Sequence, residues 1–257
     1  MMYLYRVAYD GTKFYGFTGH PKSVEAVLKP ALGEVLSRGS RTDPGVSAVA
    51  NVVLVERRQP FGYINSKLPE GVWVWGVAEV PEGFNPRRAK WRRYLYVAPH
   101  WGEDVEAMRE AADLLKGTHD FASFIWKRGE RNISTVLTID DISIYIKGPL
   151  VYIYYKGRGF RNKMIRKLTW AILAVGRGTL SIRDLSNLLE RPRPGAVPSA
   201  PAEGLLLLDI AYDVSFEVDA SALRKAYLYF LERFRQMWAL AYVYREAGEA
   251  LAMWEEF

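Results

Sequence analysis

Residues 135–156 have the sequence TVLTIDDISIYIKGPLVYIYYK, and this stretch decides the fold class. Apolar and polar side chains alternate over 135–147 and again over 150–156, a pattern typical of β-strands that bury one face. Gly148 and Pro149 separate the two runs and favour a turn. The stretch therefore predicts a β-hairpin and, with it, an antiparallel sheet.

On both sides of this hairpin, segments with the period of a strand alternate with segments that have the period of a helix. Further strands are predicted over 3–9, 51–56, 72–80, 91–98 and 205–211. Helices are predicted over 23–36, 63–68, 104–115, 160–175, 182–189 and 220–253. A turn cluster at 99–102 divides the order into two series. We predict an α+β fold of two units, 1–99 and 100–257, with mostly antiparallel sheets.

The composition excludes several classes of protein. The chain has 257 residues with no Cys and three His, which excludes disulfide scaffolds, thiolate metal sites and cysteine nucleophiles and argues against a metal enzyme. Arg6 and Asp10 interrupt the apolar start that a signal peptide needs, and the apolar run at 168–175 is too short to span a bilayer. We expect a cytoplasmic protein without membrane contact.

Two segments concentrate the positive charge. Residues 87–93 hold five cations in seven positions, and residues 158–167 hold five in ten. Trp91, Tyr94 and Phe160 lie among them, and cations interleaved with aromatic rings are typical of surfaces that bind phosphates and stack on bases. A solvated basic face is the alternative for either cluster alone. The two clusters together favour single-stranded or looped RNA as the anionic partner.

The loop SRGSRTDPGVSA at 37–48 contains the strongest candidate for chemistry. Its Asp43 begins an Asp-Pro-Gly sequence, which by itself favours a turn in which the carboxylate bonds its own backbone. Arg41 flanks this carboxylate in a short loop between a helix and a strand, where a rigid scaffold can present a catalytic group. The residues alone leave Asp43 as either a turn former or a catalytic acid.

The segment RTDPGV at 41–46 resembles the catalytic motif of the tRNA pseudouridine synthase A family. Further segments are similar to the motifs of that family and follow in the same order. They are YDGTKFYGF at 9–17, FNPR at 84–87 with RRYLY at 92–96, GTHDFASF at 117–124, GF at 159–160 with MIR at 164–166 and VGRG at 175–178, and APAEGLLL at 200–207. Six matches in order make the resemblance specific over about residues 9–212.

The resemblance implies an isomerase that converts uridine to pseudouridine in tRNA without a cofactor, for this family in the anticodon stem-loop around nucleotides 38 to 40. The C1′–N1 bond breaks, the uracil turns, and C5 is joined to C1′. Asp43 matches the family's catalytic Asp, Arg166 matches the Arg that pairs with it, and Tyr94 matches the active-site Tyr. Whether the carboxylate attacks C1′ or first removes a proton from C2′ stays open.

The resemblance also implies an architecture, the pseudouridine synthase fold. Two ferredoxin-like units, similar to RNA-recognition motifs, join their sheets around a central active-site cleft, and two copies of the chain form a homodimer. Arg41 matches the family's Arg that helps to extrude the target base. We expect the two basic clusters to line the cleft and hold RNA through five residues: Arg41, Arg88, Arg92, Arg161 and Lys163.

Some residues depart from the family pattern or allow other functions. Ser47 stands where many members have His, and Pro44 where others have a small or charged residue. His119 and Asp120 could form a catalytic dyad, although anchoring of their own loop is the simpler hypothesis. The main alternative function is a non-catalytic tRNA-binding protein or RNA chaperone that uses the same cleft. A hydrolase that cleaves nucleosides would need a second carboxylate opposite Asp43.

Overall fold

The structure, a computed structural model, describes residues 1–126 and 134–255. Ten strands in this part of the chain form one sheet: β1 (Met2–Tyr9), β2 (Ser37–Arg38), β3 (Ser47–Val55), β4 (Val72–Val80), β5 (Trp91–Pro99), β6 (Gly117–Asp120), β7 (Val136–Lys147), β8 (Leu150–Gly157), β9 (Leu205–Ala211) and β10 (Glu217–Val218). The helices are α1 (Val24–Leu32), α2 (Phe61–Lys67), α3 (Val105–Leu115), α4 (Met164–Gly176), α5 (Ile182–Glu190) and α6 (Ala220–Glu255). In the described ranges, no helix combines the length and apolar character needed to cross a membrane.

The strands lie in the order β10-β4-β1-β3-β9-β5-β8-β7-β6, and β2 pairs with β3 off this path. Neighbouring strands are antiparallel except β3 and β9, which run parallel with Ser47 opposite Leu206 and Ala48 opposite Leu207. The α+β fold with a mostly antiparallel sheet is therefore confirmed. The division at residue 99 stays a prediction, since the sheet runs without a break across the strands on both sides of it.

The hairpin predicted from 135–156 is present as β7 and β8. Ile144 lies opposite Ile153, and both side chains are buried, as the alternating pattern predicts. The turn uses Gly148 with φ of 56°, a left-handed conformation that glycine adopts without steric cost. Local sequence thus determines both the register and the buried face of this half of the sheet.

Helices α3 and α4 pack on one face of the sheet. Leu168 and Ile172 of α4 are fully buried, and the Tyr155 hydroxyl of β8 shares a 2.8 Å hydrogen bond with the Thr169 hydroxyl of α4. We call this the inner face. Because side chains alternate along a strand, Tyr154 of β8 projects to the opposite, outer face.

The first turns of α6 cover the outer face at the other end of the sheet. The ring of Trp73 on β4 packs against Tyr229 and Phe230, with ring centroids 4.9 and 5.9 Å apart. Beyond this contact, every residue of α6 from 235 to 250 is exposed. Helix α6 therefore leaves the body of the protein after about four turns.

Several boundaries and three short strands differ from the sequence predictions. Helix α4 begins at Met164 instead of residue 160, because Lys163 has φ of 59° and this left-handed conformation cannot continue a helix. Helix α1 ends at Leu32 instead of residue 36, because Gly33 has φ of 81°. The strands β2, β6 and β10 were not predicted. They have two to four residues, too few to show a period.

Candidate active site

Three distant segments of the chain meet at one cleft of about 890 Å³ on the inner face. The loop 39–46 precedes β3, Tyr94 lies on β5, and residues 158–166 lead into α4. The cleft lies where β9 connects β3 to β5 in the sheet. The loop 39–46 precedes β3 on one side of this connection, and Tyr94 lies on β5 on the other side.

Asp43 and Arg166 form an ion pair at the floor of the cleft. The Arg166 Nη1 atom donates to Oδ2 of Asp43 at 2.8 Å, and the side chains are 15% and 19% exposed. Arg166 Nε donates to the Ala200 carbonyl at 2.7 Å, and the Ala200 amide donates back to the Arg166 carbonyl at 3.0 Å. The guanidinium is thereby fixed in orientation before it meets the carboxylate. It supplies the counter-charge that a partly buried carboxylate needs.

A buried polar network holds the loop that carries Asp43. Asn51 on β3 has no exposed surface, and its amide donates to the Ser40 carbonyl at 3.0 Å while accepting from the Ser40 amide at 3.1 Å. The same amide donates to the Tyr9 hydroxyl at 3.1 Å, which in turn shares a 2.7 Å bond with Thr42. The residues three and one positions before Asp43 are thus tied to the core. This network was not predicted from the sequence. Asn51, a polar residue in a β-branched run, is the local signal that indicates it.

Tyr94 joins the same network from β5. Its hydroxyl shares a 2.8 Å hydrogen bond with the Ser40 hydroxyl, and its ring packs edge-on against Phe160 at 5.5 Å and 85°. Burial raises the pKa of the Tyr94 phenol above its ordinary value, and the bond with Ser40 opposes this shift only in part. Tyr94 is therefore a neutral phenol at physiological pH, fixed by packing on one side and hydrogen bonding on the other.

In the part of the chain that the structure describes, eight cationic side chains line the cleft, against one carboxylate, that of Asp43. The cations are Arg38, Arg41, Arg87, Arg92, Arg158, Arg161, Lys163 and Arg166. Arg38 forms an ion pair with Glu25, with Nη1 and Oε2 3.1 Å apart, and donates to the Thr18 hydroxyl at 3.1 Å. Burial lowers the pKa of Arg38, and Glu25 opposes that shift. The balance of charge at the cleft surface is strongly positive, which favours a polyanionic ligand.

The five residues expected to hold RNA lie in different surroundings. Arg41, Arg161 and Lys163 line the cleft, whereas Arg88 is exposed outside its lining. Arg92 lines the cleft but is 6% exposed, and its guanidinium donates to the backbone carbonyls of Gly39, Arg87 and Arg158. Its contacts are those of a brace between β5 and the loop 39–46.

Two residues noted in the sequence lie away from the ion pair. The His119 ring bonds the Lys116 carbonyl at 2.7 Å, and Asp120 accepts from the Ala122 amide at 3.0 Å, so both side chains bond nearby backbone. Ser47, which replaces the commoner His, accepts from the Gly11 amide at 3.0 Å. This bond joins the start of β3 to the segment that follows β1.

The fold and the cleft define a class of protein, one that binds a polyanion in a basic cleft and presents a single carboxylate to it. Comparisons with known proteins narrow this class. A family model described as tRNA pseudouridine synthase matches residues 111–213. A "tRNA pseudouridine synthase A" from Pyrobaculum aerophilum is 69% identical over 255 residues, covering 99% of this chain and all of that relative. One of the same name from Pyrococcus furiosus is 36% identical, covering 94% and 95%.

The chain belongs to the tRNA pseudouridine synthase A family, a family of isomerases. Among solved structures, an archaeal box H/ACA complex of Nop10 and Cbf5 is similar over 67% of this chain and 44% of that chain, with 20% identity and a TM-score of 0.35. The likeness is distant, and membership of the family does not depend on it.

Replacing Asn51 by Ala tests whether the polar network holds the catalytic loop. The substitution leaves the Ser40 amide and carbonyl without their hydrogen-bond partner, and each polar group left unpaired in this way costs about 1–3 kcal/mol. We expect the free energy of unfolding in denaturant to fall by about 2–4 kcal/mol. Hydrogen exchange of the loop 39–46 should accelerate more than that of the distant strand β7.

Asn187→Ala is the control, because this Asn lies on α5 outside the network and outside the cleft. Alanine has the higher helix propensity, so its stability should be unchanged or slightly higher. Equal stability of the two variants would contradict the role assigned to Asn51.

Proposed function

We propose that this protein isomerises uridine to pseudouridine in tRNA, within the anticodon stem-loop around nucleotides 38 to 40, with Asp43 as the catalytic carboxylate. Family membership supports the reaction and the substrate class. One observation carries the choice of residue: among the described residues that line the cleft, Asp43 is the single carboxylate beside eight cations. The ribose of a bound uridine is held there by its phosphates, beside that carboxylate.

The lone carboxylate also separates this reaction from simple hydrolysis. A glycosidase uses two carboxyl groups on opposite sides of the scissile bond, whereas the lining of this cleft provides one. An isomerase needs no water as a nucleophile, because the uracil that leaves C1′ returns through C5. In this proposal Asp43 acts at the ribose, and Arg166 holds the carboxylate in place and balances its charge.

Tyr94 is proposed to act at the base. Its ring lies in the cleft wall, and a ring stacked on an unpaired base contributes about 1–3 kcal/mol. After the C5–C1′ bond forms, C5 must lose the proton it carried as uridine, and N1 must gain one. The Tyr94 phenol lines the cleft and stays neutral because burial raises its pKa, so it can relay a proton by accepting one and donating another.

The target base must leave its stack before it reaches Asp43, at a cost of a few kcal/mol. Arg41 is exposed at the mouth of the cleft two residues before Asp43. We assign to it the support of the extruded nucleotide through the neighbouring phosphate, a contact that suits a guanidinium. The basic residues Arg161 and Lys163, in the segment before α4, line the same cleft.

Asp43→Asn keeps the size of the side chain and removes its charge. We expect tritium release from tRNA labelled at uracil C5 to fall by about a hundredfold or more. Affinity for tRNA should be unchanged or slightly higher, because one negative charge no longer faces the phosphates. Asp213→Asn is the control, since this exposed Asp pairs with Lys90 away from the cleft and should retain full turnover. Activity of Asp43→Asn within tenfold of wild type would assign the chemistry to another group.

The salt dependence of tRNA binding tests the path of the RNA. Each lost phosphate contact lowers the slope of log affinity against log salt by about one unit. Arg161→Ala and Lys163→Ala should each flatten the slope in this way, because both residues line the cleft. Arg183→Ala on α5 should not, since it is exposed outside the cleft.

Arg88→Ala decides how far the path extends. A slope equal to wild type would confine the RNA to the cleft, and a flatter slope would include the exposed edge of the 87–93 cluster. Unchanged slopes for Arg161→Ala and Lys163→Ala would contradict the proposed path.

A second copy of the chain is part of the proposal. The free part of α6 exposes large apolar side chains that a monomer would leave in water: Phe234, Met237, Trp238, Leu240, Tyr242, Val243 and Tyr244. The net charge changes sign along this helix, because 232–235 contain two Arg and one Glu, whereas 245–249 contain two Glu and one Arg. Two copies of α6 packed antiparallel would therefore bring opposite charges together over the apolar surface.

Light scattering should give a mass near twice 29.3 kDa for the wild-type protein. Trp238→Glu should shift it to the monomer, because the change buries a charge in the pairing. Trp101→Glu is the control, as this Trp is 80% exposed elsewhere. A monomeric wild-type protein at micromolar concentration would contradict the dimer.

A further inference from the structure

A second groove lies on the outer face of the sheet, away from the cleft. Its volume is about 550 Å³, and it is formed by β5, β7 and β8. Alternation along the strands separates the two sites, because Arg92 and Tyr94 of β5 line the cleft while Trp91 and Arg93 line the groove. Helix α6 covers the outer face only at the other end of the sheet. None of the groove residues takes part in the proposed reaction.

The groove is built from aromatic rings and cations. Its aromatic side chains include Trp91, Tyr145 and Tyr154, and its cations are Arg93, Lys147 and Lys156. Lys156 lies 5.4 Å from the centre of the Trp91 ring, and Arg93 lies 5.4 Å from that of Tyr154. Tyr145 packs edge-on against Tyr154 at 5.8 Å, with half of its own surface exposed. The aromatic rings thus hold the cations without neutralising them.

The positive charge of the groove is available to bind an anionic ligand. Asp141 is its one carboxylate, and it lies 3.6 Å from Lys116 and accepts from the Ser143 hydroxyl. Within the described ranges, Arg93, Lys147 and Lys156 form no ion pair with a carboxylate. Three cations therefore remain available to an anion on a surface that also presents rings for stacking.

This chemistry selects one class of ligand. Exposed aromatic side chains on a sheet, flanked by cations, stack unpaired bases and hold the phosphates between them. A double helix offers no free base to such a surface, and an acidic peptide offers no planar groups in series. We propose that the groove formed by β5, β7 and β8 is a second RNA site, which binds a short unpaired segment on the face opposite the cleft.

The proposal depends on the proposed function only in taking RNA as the ligand. A tRNA held in the cleft by one loop has other unpaired segments, at its remaining loops and its 3′ end. Contact of one such segment with the outer face, of the same or of a partner subunit, would add affinity without touching the reacting nucleotide.

The test uses a double variant with a matched control. Tyr145→Ala with Lys147→Ala removes one exposed ring and one cation from the groove. Tyr63→Ala with Lys67→Ala removes the same pair of residue types from α2, where Lys67 lies 4.3 Å from the Tyr63 ring outside both sites. The probes are an unmodified tRNA transcript and a short oligouridylate that carries 4-thiouridine for photocrosslinking.

We expect the groove variant to bind the tRNA transcript at least about fivefold more weakly than wild type, as expected for the loss of one base stack. The control variant should bind as wild type does. The oligouridylate should crosslink to peptides from β7 and β8, and this crosslink should be lost in the groove variant.

Two results would overturn the proposal. Equal tRNA affinity of the groove and control variants is one, and a change of oligomeric mass with unchanged RNA affinity is the other, since it would make the outer face a protein interface. The proposed reaction is tested separately, because Asp43→Asn should lower turnover by about a hundredfold or more and keep the crosslink. Turnover by Asp43→Asn within tenfold of wild type would overturn the catalytic assignment and would not affect the proposal for the groove.

Discussion

The parallel pairing of β9 with β3 is the constraint on which the site depends. Strand β9 comes from late in the chain, yet it lies between β3 and β5 of the first hundred residues. Asp43 lies four residues before β3, and Ala200 lies five residues before β9. The pairing therefore brings Ala200, and with it the guanidinium of Arg166 that it holds, to the carboxylate. If β9 were displaced, Ala200 would move with it and would no longer hold the Arg166 guanidinium beside Asp43.

A network of hydrogen bonds then fixes the conformation of the loop that carries Asp43. Asn51 bonds both backbone groups of Ser40, and Tyr94 bonds its side chain, so a single loop residue is held from two strands. Arg92 braces the same loop through the Gly39 carbonyl. Buried polar groups are costly unless satisfied, so such a network permits few alternative loop conformations. The loop that carries Asp43 is thereby held in one conformation by the fold, before any ligand is bound.

The cations on the two faces of the sheet have different contact partners. In the cleft, Arg166 and Arg38 are paired with carboxylates, while Arg41, Arg161 and Lys163 face the open volume. On the outer face, cations lie against aromatic rings and keep their charge. In the cleft, ion pairs thus neutralise part of the positive charge, whereas the cation–π contacts of the outer face neutralise none of it. A modest net charge of +6 is thus converted into two strongly basic surfaces.

The sequence by itself determined most of the local elements and singled out the candidate catalytic residues. The strands 72–80 and 205–211 and the hairpin from 135–156 follow from side-chain period alone, which depends only on neighbours along the chain. The motifs singled out Asp43, Tyr94 and Arg166, and the structure places all three in one cleft. Only the tertiary structure showed that Arg92 is a buried brace, that Asn51 holds the loop, and that β9 joins the two halves. These features depend on contacts between residues far apart in the chain, and burial, which decides whether an Arg binds a ligand or a carbonyl, has no local signature.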